Sequence, residues 1–441
     1  MTATVNVNET IDRHPITAYQ IGILVLCMLA AALDGYDTQA IGYTAPAIAE
    51  AFHLPRETFG PVFSAALLGA ALGALSFGPL ADRFGRKRFM IAAVAIFGAF
   101  SLLTAQVTTL PALLIVRFCT GLGLGGAVPS FLALGGEFAP VSKRSVFVAV
   151  AFAAWPFGGL IGALTSSYVI PRLGWQSVFY IGGVAPLVFA VALVVYLPES
   201  LRFLIARNSR LAEVRRTLDR IAPGEIPADA ILVAAPEPER QGMPIKHLFT
   251  EGRTAKTLML WVAFFVVFMV LVTVTAWTPT VLHAAGFSIS AGALIIALNN
   301  AGSVCASAIS GSLVDRFGPY RTLVPGFILG GLSLAVFGQA TSSVMTLAVA
   351  STLAGFCLGG TGTGLIALTA GIYPTTVRST GIGWSMGMGR IGQICGPLGA
   401  GILVGWGAGA GGVFYAAAVP CFIGALFVAL LKLAPMTAEP G

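Results

Sequence analysis

Twelve apolar segments set the terms for this chain. They run over about 19–48, 58–80, 89–108, 111–136, 146–170 and 177–197, and then over about 257–283, 289–313, 322–341, 345–371, 380–404 and 412–432. A hydrocarbon core about 30 Å thick takes roughly 20 residues of helix to cross. The segments are long enough for that, and too uniformly apolar for the alternation of a membrane β-barrel. The spacing predicts an all-α membrane protein with twelve transmembrane helices. Composition agrees. Only 10% of the 441 residues are charged and the mean hydropathy is +0.88, whereas a soluble domain carries roughly 25% charged residues. So little charge leaves a water-facing surface uncovered, which excludes a cytosolic enzyme, a nucleic-acid module and a disordered scaffold. The 54 glycines suit close helix approach in lipid.

The placement of the basic residues predicts orientation. Twenty-one Lys and Arg fall on one side: those of the tails, of the loops around Arg83–Arg88, Lys143–Arg144, Arg316–Arg321 and Arg378, and of the central stretch 198–256. Only Arg56 and Arg172 fall on the other. The net charge of +7 is thus a topology signal and not a nucleic-acid signal. It predicts a cytoplasmic N-terminal tail (1–18), a six-helix bundle (19–197), a cytoplasmic central loop (198–256), a second bundle (257–432) and a cytoplasmic tail (433–441). Residues 201–221 place apolar side chains at helical spacing between arginines, as in a helix lying on the inner membrane face. The Pro-rich stretch 223–244 reads as linker. The first apolar run contains two aspartates, unlike a cleaved leader. Six scattered Cys and four His show no metal-ligand spacing, so no metal or other cofactor is expected.

The halves repeat. Gly78-Pro-Leu-Ala-Asp-Arg-Phe-Gly85 returns as Gly311-Ser-Leu-Val-Asp-Arg-Phe-Gly318. Gly121-Leu-Gly-Leu-Gly-Gly126 returns as Gly355-Phe-Cys-Leu-Gly-Gly360. Pro140, Arg144 and Ser145 return as Pro374, Arg378 and Ser379. A parallel repeat of this kind places a substrate site between two bundles near the membrane midplane, with access alternating as they rock.

Ionisable groups inside spans are functional candidates. Asp34 and Asp37 lie three residues apart in the first span, a spacing that puts both on one helix face. Two carboxyl groups held together away from water are suited to taking up and releasing a proton. Arg390 lies deep in the eleventh span, where Gly387, Gly389 and Gly392 leave room for a ring. Its planar fork matches a carboxylate. Arg117, in the fourth span, is expected to partner the aspartates and is the second candidate for a substrate anion. Asn299 and Asn300 are adjacent amides at lipid depth that need partners, and one is expected to meet a ring hydroxyl. Tyr36, Trp277 and Trp384 are candidates for stacking on a ring. On the cytoplasmic side, Gly78, Asp82, Arg83, Gly85 and Arg86 form a tight basic turn, in which Gly78 and Gly85 allow close backbone approach. Glu137 is expected to form an inner-gate ion pair with Arg144 or Lys143. Asp315, Arg316 and Arg378 are the second-half counterparts.

Gly78–Lys87 (GPLADRFGRK) and Pro198-Glu-Ser-Leu-Arg202 resemble signatures of the major facilitator superfamily, which implies its fold of two pseudo-symmetric six-helix bundles. Asp34-Gly-Tyr-Asp-Thr38 with Gly42–Pro46, Gly60–Ala66, Arg117–Gly125, Leu197–Leu204 and Tyr373–Gly381 are similar to the aromatic acid:proton symporter family, over about residues 15–433. The resemblance implies a monomeric, multi-pass bacterial inner-membrane protein that imports a small aromatic carboxylate of the benzoate or hydroxybenzoate type with protons as coupling ion. The alternatives are a symporter of another organic anion, a drug/proton antiporter, for which Pro156-Phe-Gly-Gly159 is only a partial motif, and a sensor that binds without transporting. No nucleophile or metal constellation of an enzyme is visible.

Overall fold

A computed structural model describes residues 4–227, 230–233, 245–250, 252–339, 343–374 and 377–433. A short strand β1 (Thr4–Asn6) and helix α1 (Val7–Arg13) precede six long helices: α2 (Ala18–Phe52), α3 (Phe59–Phe84), α4 (Arg86–Thr104), α5 (Leu110–Phe138), α6 (Arg144–Leu173) and α7 (Gln176–Tyr196). The central stretch holds α8 (Leu201–Ala206), α9 (Leu211–Ile221) and a second strand, β2 (Ile231–Val233). Six more long helices follow: α10 (Thr254–Ala284), α11 (Ile289–Phe317), α12 (Pro319–Gln339), α13 (Val344–Ile372), α14 (Arg378–Gly405) and α15 (Ala410–Leu433). Eleven of the twelve long helices are apolar enough to cross a membrane by length and composition. The exception is α14, which carries Arg390 among nine glycines.

Local signals explain the ends. Thr17 closes a capping box with Gln20 at the start of α2, and the hydroxyls of Thr109, Ser288 and Ser343 accept the first free amides of α5, α11 and α13. Gly85 and Gly318 end α3 and α11 at φ of +110° and +83°, a backbone region open chiefly to glycine.

Within each bundle the helices meet through bare backbone. A Cβ at Gly121 of α5 would lie 1.9 Å from the Ala66 carbonyl oxygen of α3. Its repeat, Gly355 of α13, would lie 2.0 Å from the Asn299 carbonyl oxygen of α11. The repeated glycine motifs are therefore contact points that bring paired helices to minimum separation, where dispersion is strongest. Across the pseudo-symmetric interface α2 packs on α10, α3 on α14 and α6 on α11.

The central stretch departs from expectation. The helix foreseen over 201–221 is two helices, broken at Asn208 and Arg210, both at positive φ. Its apolar face does not lie on lipid: Val214, Leu218 and Ile221 are buried against Val7 and Ile11 of α1 and neighbouring side chains. The N-terminal tail is ordered for the same reason. β1 pairs in parallel with β2, Thr4 to Ile231 through Asn6 to Val233, and Asp12 accepts the Val141 amide at 2.8 Å. Residues 234–244, including Arg240, and the tail 434–441 lie outside the described residues.

Candidate functional site

A cavity lies between the bundles at mid-depth. The N-terminal bundle gives it an aromatic wall of Phe131, Phe152 and Trp155, with Asp34 set beside it. The C-terminal bundle contributes Phe268, a row of polar groups (Asn299, Asn300, Ser303, Ser307, Thr363) and the Arg390–Gln393 pair. A small recess adjoining it is also lined by both Asp34 and Arg390, with Thr38. Asp34 accepts a hydrogen bond from Thr38 Oγ1 at 2.9 Å. Arg390 Nη1 donates to Gln393 Oε1 at 3.1 Å. Among the described residues, no carboxylate stands within ion-pairing distance of Arg390. Asp34, from the opposite bundle, is the carboxylate whose field acts on it. The cavity therefore holds one anion and one cation, on opposite walls and not in direct contact.

Asp37 is elsewhere. Three residues of helix turn it about 60° from Asp34, enough to point it into the N-terminal bundle and away from the cavity. Its Oδ2 meets Arg117 Nη1 at 3.1 Å, its Oδ1 accepts from Ser101 Oγ at 2.6 Å, and Arg117 Nη2 donates to the Asp37 carbonyl at 3.1 Å. Both side chains have no solvent exposure. The expected Arg117 partnership is present, with Asp37 alone. The expectation that the two aspartates act as one pair is corrected, and so is Arg117 as a cavity residue: it is sealed under Phe179.

The stacking candidates are also displaced. Tyr36 is buried inside the N-terminal bundle, its hydroxyl donating to the Val178 carbonyl at 3.2 Å. Trp277 is fully buried with its edge to Phe63, and its Nε1 donates to the Pro397 carbonyl at 3.1 Å. Trp384 stacks on Trp261 and is about half exposed on the outside of the bundle. Apolar residues surround each of these helices on all sides, so no periodicity distinguished an aromatic facing the cavity from one facing a neighbour. Trp155 and Phe268 do line the cavity, and sequence reasoning missed them for that reason. Of the three glycines near Arg390, two are taken up by α10 and one faces open space. Gly392 and Gly389 give way to the Phe265 carbonyl and the Phe268 ring of α10, and Gly387 has no neighbour within 4 Å of an added Cβ.

Both asparagines reach the cavity. Asn299 Nδ2 donates to the Ser351 carbonyl at 2.9 Å, tying α11 to α13. Asn300 bonds across the bundle interface to Gln39, a residue that sequence reasoning passed over although a lone amide inside an apolar helix was a legible signal.

At the end of the molecule bearing both tails, the basic turn is wired into a network. Asp82 accepts from Arg86 at 3.2 and 3.3 Å, and Arg86 also pairs with Glu137. Glu137 accepts from Ser200 Oγ at 2.9 Å. Glu199 accepts the Lys87 and Ser200 amides at 2.9 and 3.0 Å. The predicted Glu137–Arg144 bridge is absent because Arg86 takes its place. Arg144 instead donates to the Ala139 carbonyl at 3.2 Å, and its repeat Arg378 donates to the Tyr373 carbonyl at 3.4 Å. Arg83 and Arg316 likewise mirror each other, each over the ring that follows it. Gly85 stands against Glu199, whereas Gly78 has nothing near it, so the expected close approach exists only at Gly85. Asp315 is exposed.

Two bundles related by a parallel repeat, with a charged cavity between them at mid-membrane depth, define a membrane transporter of the alternating-access type. The sequence profile of the Major Facilitator Superfamily matches residues 27–299 and 282–441, and the chain belongs to that superfamily. The chain is 37% identical over 406 residues to a 4-hydroxybenzoate transporter of Pseudomonas putida (92% of this chain, 90% of the relative). It is 35% identical over 438 residues to a gallate transporter of Pseudomonas putida (99% and 97%), and 34% identical over 415 residues to a 3-(3-hydroxy-phenyl)propionate transporter of Escherichia coli (92% and 92%). These relatives are transporters and not enzymes. Among solved structures, the partially occluded inward open conformation of the E. coli xylose transporter superposes with a TM-score of 0.72 at 20% identity, covering 95% of this chain and 98% of that one. This last likeness concerns the fold.

Proposed function

We propose that the chain imports small aromatic carboxylates together with protons, across a bacterial inner membrane in which both tails and the central loop face the cytoplasm. The observation that carries this reading is the cavity's charge plan: Arg390, with no contacting carboxylate among the described residues, opposite Asp34, beside an aromatic wall. A benzoate-type anion supplies what Arg390 lacks, a planar carboxylate for its fork, and a ring for Phe131, Phe152, Trp155 and Phe268. Asn300, Ser303, Ser307 and Thr363 face the same space as partners for ring hydroxyls. Asp34 is the proton carrier of this scheme: loaded with a proton it leaves Arg390 to the substrate, and unloaded it competes for it.

The described hydrogen bonds between the bundles lie from mid-depth to the end away from the tails: Gln39 with Asn300, Ser64 with the Ile394 carbonyl, Ser290 with the Ser167 carbonyl and His283 with Glu50. The cavity lining continues the other way, to Ala31, Leu132 and Met386. This supports a state closed outward and accessible from the tail-bearing side.

The test is uptake of labelled 4-hydroxybenzoate into proteoliposomes, competed by benzoate, gallate, nicotinate, succinate and 4-hydroxybenzamide. The aromatic acids compete, and the amide and the aliphatic acid do not. Uptake rises when the outside is acidified and collapses with a protonophore. Equal competition by succinate overturns the substrate class, and indifference to the proton gradient overturns the coupling.

A further inference from the structure

The sequence contains a glycine pair, Gly158-Gly159, that the transport scheme above does not use. The structure gives each a neighbour. A Cβ at Gly158 would lie 1.8 Å from the Ala32 carbonyl oxygen, and a Cβ at Gly159 would lie 2.0 Å from Gln39 Nε2. Gly159 therefore leaves a slot in α6 that the Gln39 side chain fills. From this slot Gln39 reaches across the bundle interface. Its Oε1 accepts from Asn300 Nδ2 at 2.8 Å, and its Nε2 donates to Asn300 Oδ1 at 3.4 Å. Tyr43 holds the same amide from behind, with its hydroxyl 2.9 Å from Gln39 Oε1 and 2.8 Å from the Gly159 carbonyl. One hydroxyl hydrogen serves one acceptor at a time, so whenever Tyr43 donates to Gly159, Asn300 is the donor that satisfies Gln39. Gln39 is 4% exposed and Asn300 1%, and an amide buried that deeply is costly to leave unpaired.

The position matters as much as the bond. Asn300 belongs to the cavity wall. One turn along α2 beyond Gln39, Gly42 meets the backbone of Thr275 and Ala276, and the bundles stay in contact from there to the end away from the tails. The amide pair is thus the innermost bond of the closed half.

We propose that Gln39 is a positioning residue for transport, the movable half of an amide latch that fixes Asn300 in the cavity wall while the outward half is closed and must release it when the bundles part there. The inference rests on the alternating-access reading above. Its test needs no substrate. With native cysteines replaced, spin labels at Arg172 and Ala285, exposed residues at the outward ends of α6 and α10, report the separation of the bundles by double electron–electron resonance.

The unaltered pair gives a dominant short distance. Gln39→Leu and Asn300→Leu each raise the long-distance population on the order of tenfold, the ratio expected for one net hydrogen bond to a buried amide. The double variant moves it no further than either single, because both halves of one bond are gone. The exchanged pair Gln39→Asn with Asn300→Gln restores the short distance. Should the leucine variants fail to assemble, Gln39→Asn alone, one methylene short, makes the same test against the exchanged pair. Unmoved distances in the single variants, or a double shift equal to the product of the singles, overturns the latch. Failure of aromatic-acid uptake with the distance shifts intact overturns only the substrate reading.

Discussion

At the tail-bearing end of the N-terminal bundle, Gly85 turns the chain from α3 into α4 against the carboxylate of Glu199, in a network that gathers Asp82, Arg86, Glu137 and Ser200. In the second bundle, 233 residues later, Gly318 makes the same turn, and an added Cβ there would meet nothing within 4 Å. The cavity shows the same division of labour. The N-terminal bundle supplies its carboxylate, Asp34, and the C-terminal bundle its cation, Arg390. The backbone of the repeat has been kept on both sides, while the charges have been assigned to different tasks. Asp34 and Asp37 repeat this contrast within one helix: one faces the cavity, the other is locked to Arg117 inside a bundle. Shape is therefore a property of the pair of bundles, and electrostatics of each bundle separately.

The strongest way to break this contrast is to neutralise the two aspartates in turn. Asp34→Asn is expected to leave the protein folded and in the membrane but to abolish uptake against a gradient. Asp37→Asn and Arg117→Ala are expected to destabilise it by about 3–5 kcal/mol, since each strands a buried partner. Thermal unfolding in detergent beside concentrative uptake separates the outcomes, and identical profiles for the two aspartates would erase the distinction.

Next in size is the cation. Arg390→Lys keeps the charge and loses the fork, which is expected to weaken an aromatic carboxylate on the order of ten- to a hundredfold. A neutral amide analogue should lose little. Calorimetric titration of wild type and variant with both ligands checks it, and equal losses would make Arg390 structural.

The turns come third. Gly85→Ala combines positive-φ backbone strain with a collision at Glu199, and should slow turnover severalfold while sparing equilibrium binding. Gly318→Ala carries the strain alone, about 1–3 kcal/mol, and should be milder, as Asp315→Asn should be milder than Asp82→Asn. Matched turnover losses at the two glycines would mean the network contributes nothing to rocking.

The smallest effect concerns the N-terminal clip. His14 bonds Glu225 at 2.9 Å and the Thr10 carbonyl at 2.8 Å, and the Glu225 bond raises its pKa above the usual value near 6.5. The protonated form therefore favours the clip. Its contribution is complete below about pH 6.5 and is lost as pH rises through the raised value. Amide exchange at Val5 and Leu232, corrected for intrinsic rate, should quicken between pH 6 and 8 in wild type and not in His14→Ala.

Much of this architecture was legible in the sequence. The long apolar runs and the constant offset between the halves mark the helices and their pairing, because burial in lipid acts on whole segments. The central stretch was misread because its Arg-rich amphipathic pattern fits a lipid surface and the face of α1 equally well. The cavity was only partly legible. Asp34, Arg390 and Asn300 stood out as polar groups among apolar ones. The choice between Trp155 and Trp277, or between the fates of Asp34 and Asp37, depends on how each helix is rotated about its axis. Helices apolar on every side carry no mark of that rotation.

The backbone contacts at Gly121 and Gly355 also bear on how a new cargo can be accommodated. Because adjacent helices adhere there through main-chain atoms, the scaffold asks little of the side chains that look into the space between the bundles. Phe152, Trp155 and Thr363 can then be rewritten without loosening the frame around them, whereas Phe268 also fills the space beside Gly389 and stays. Selectivity becomes a separable trait: a library confined to those three positions explores which ring is carried while the machinery that carries it stays constant.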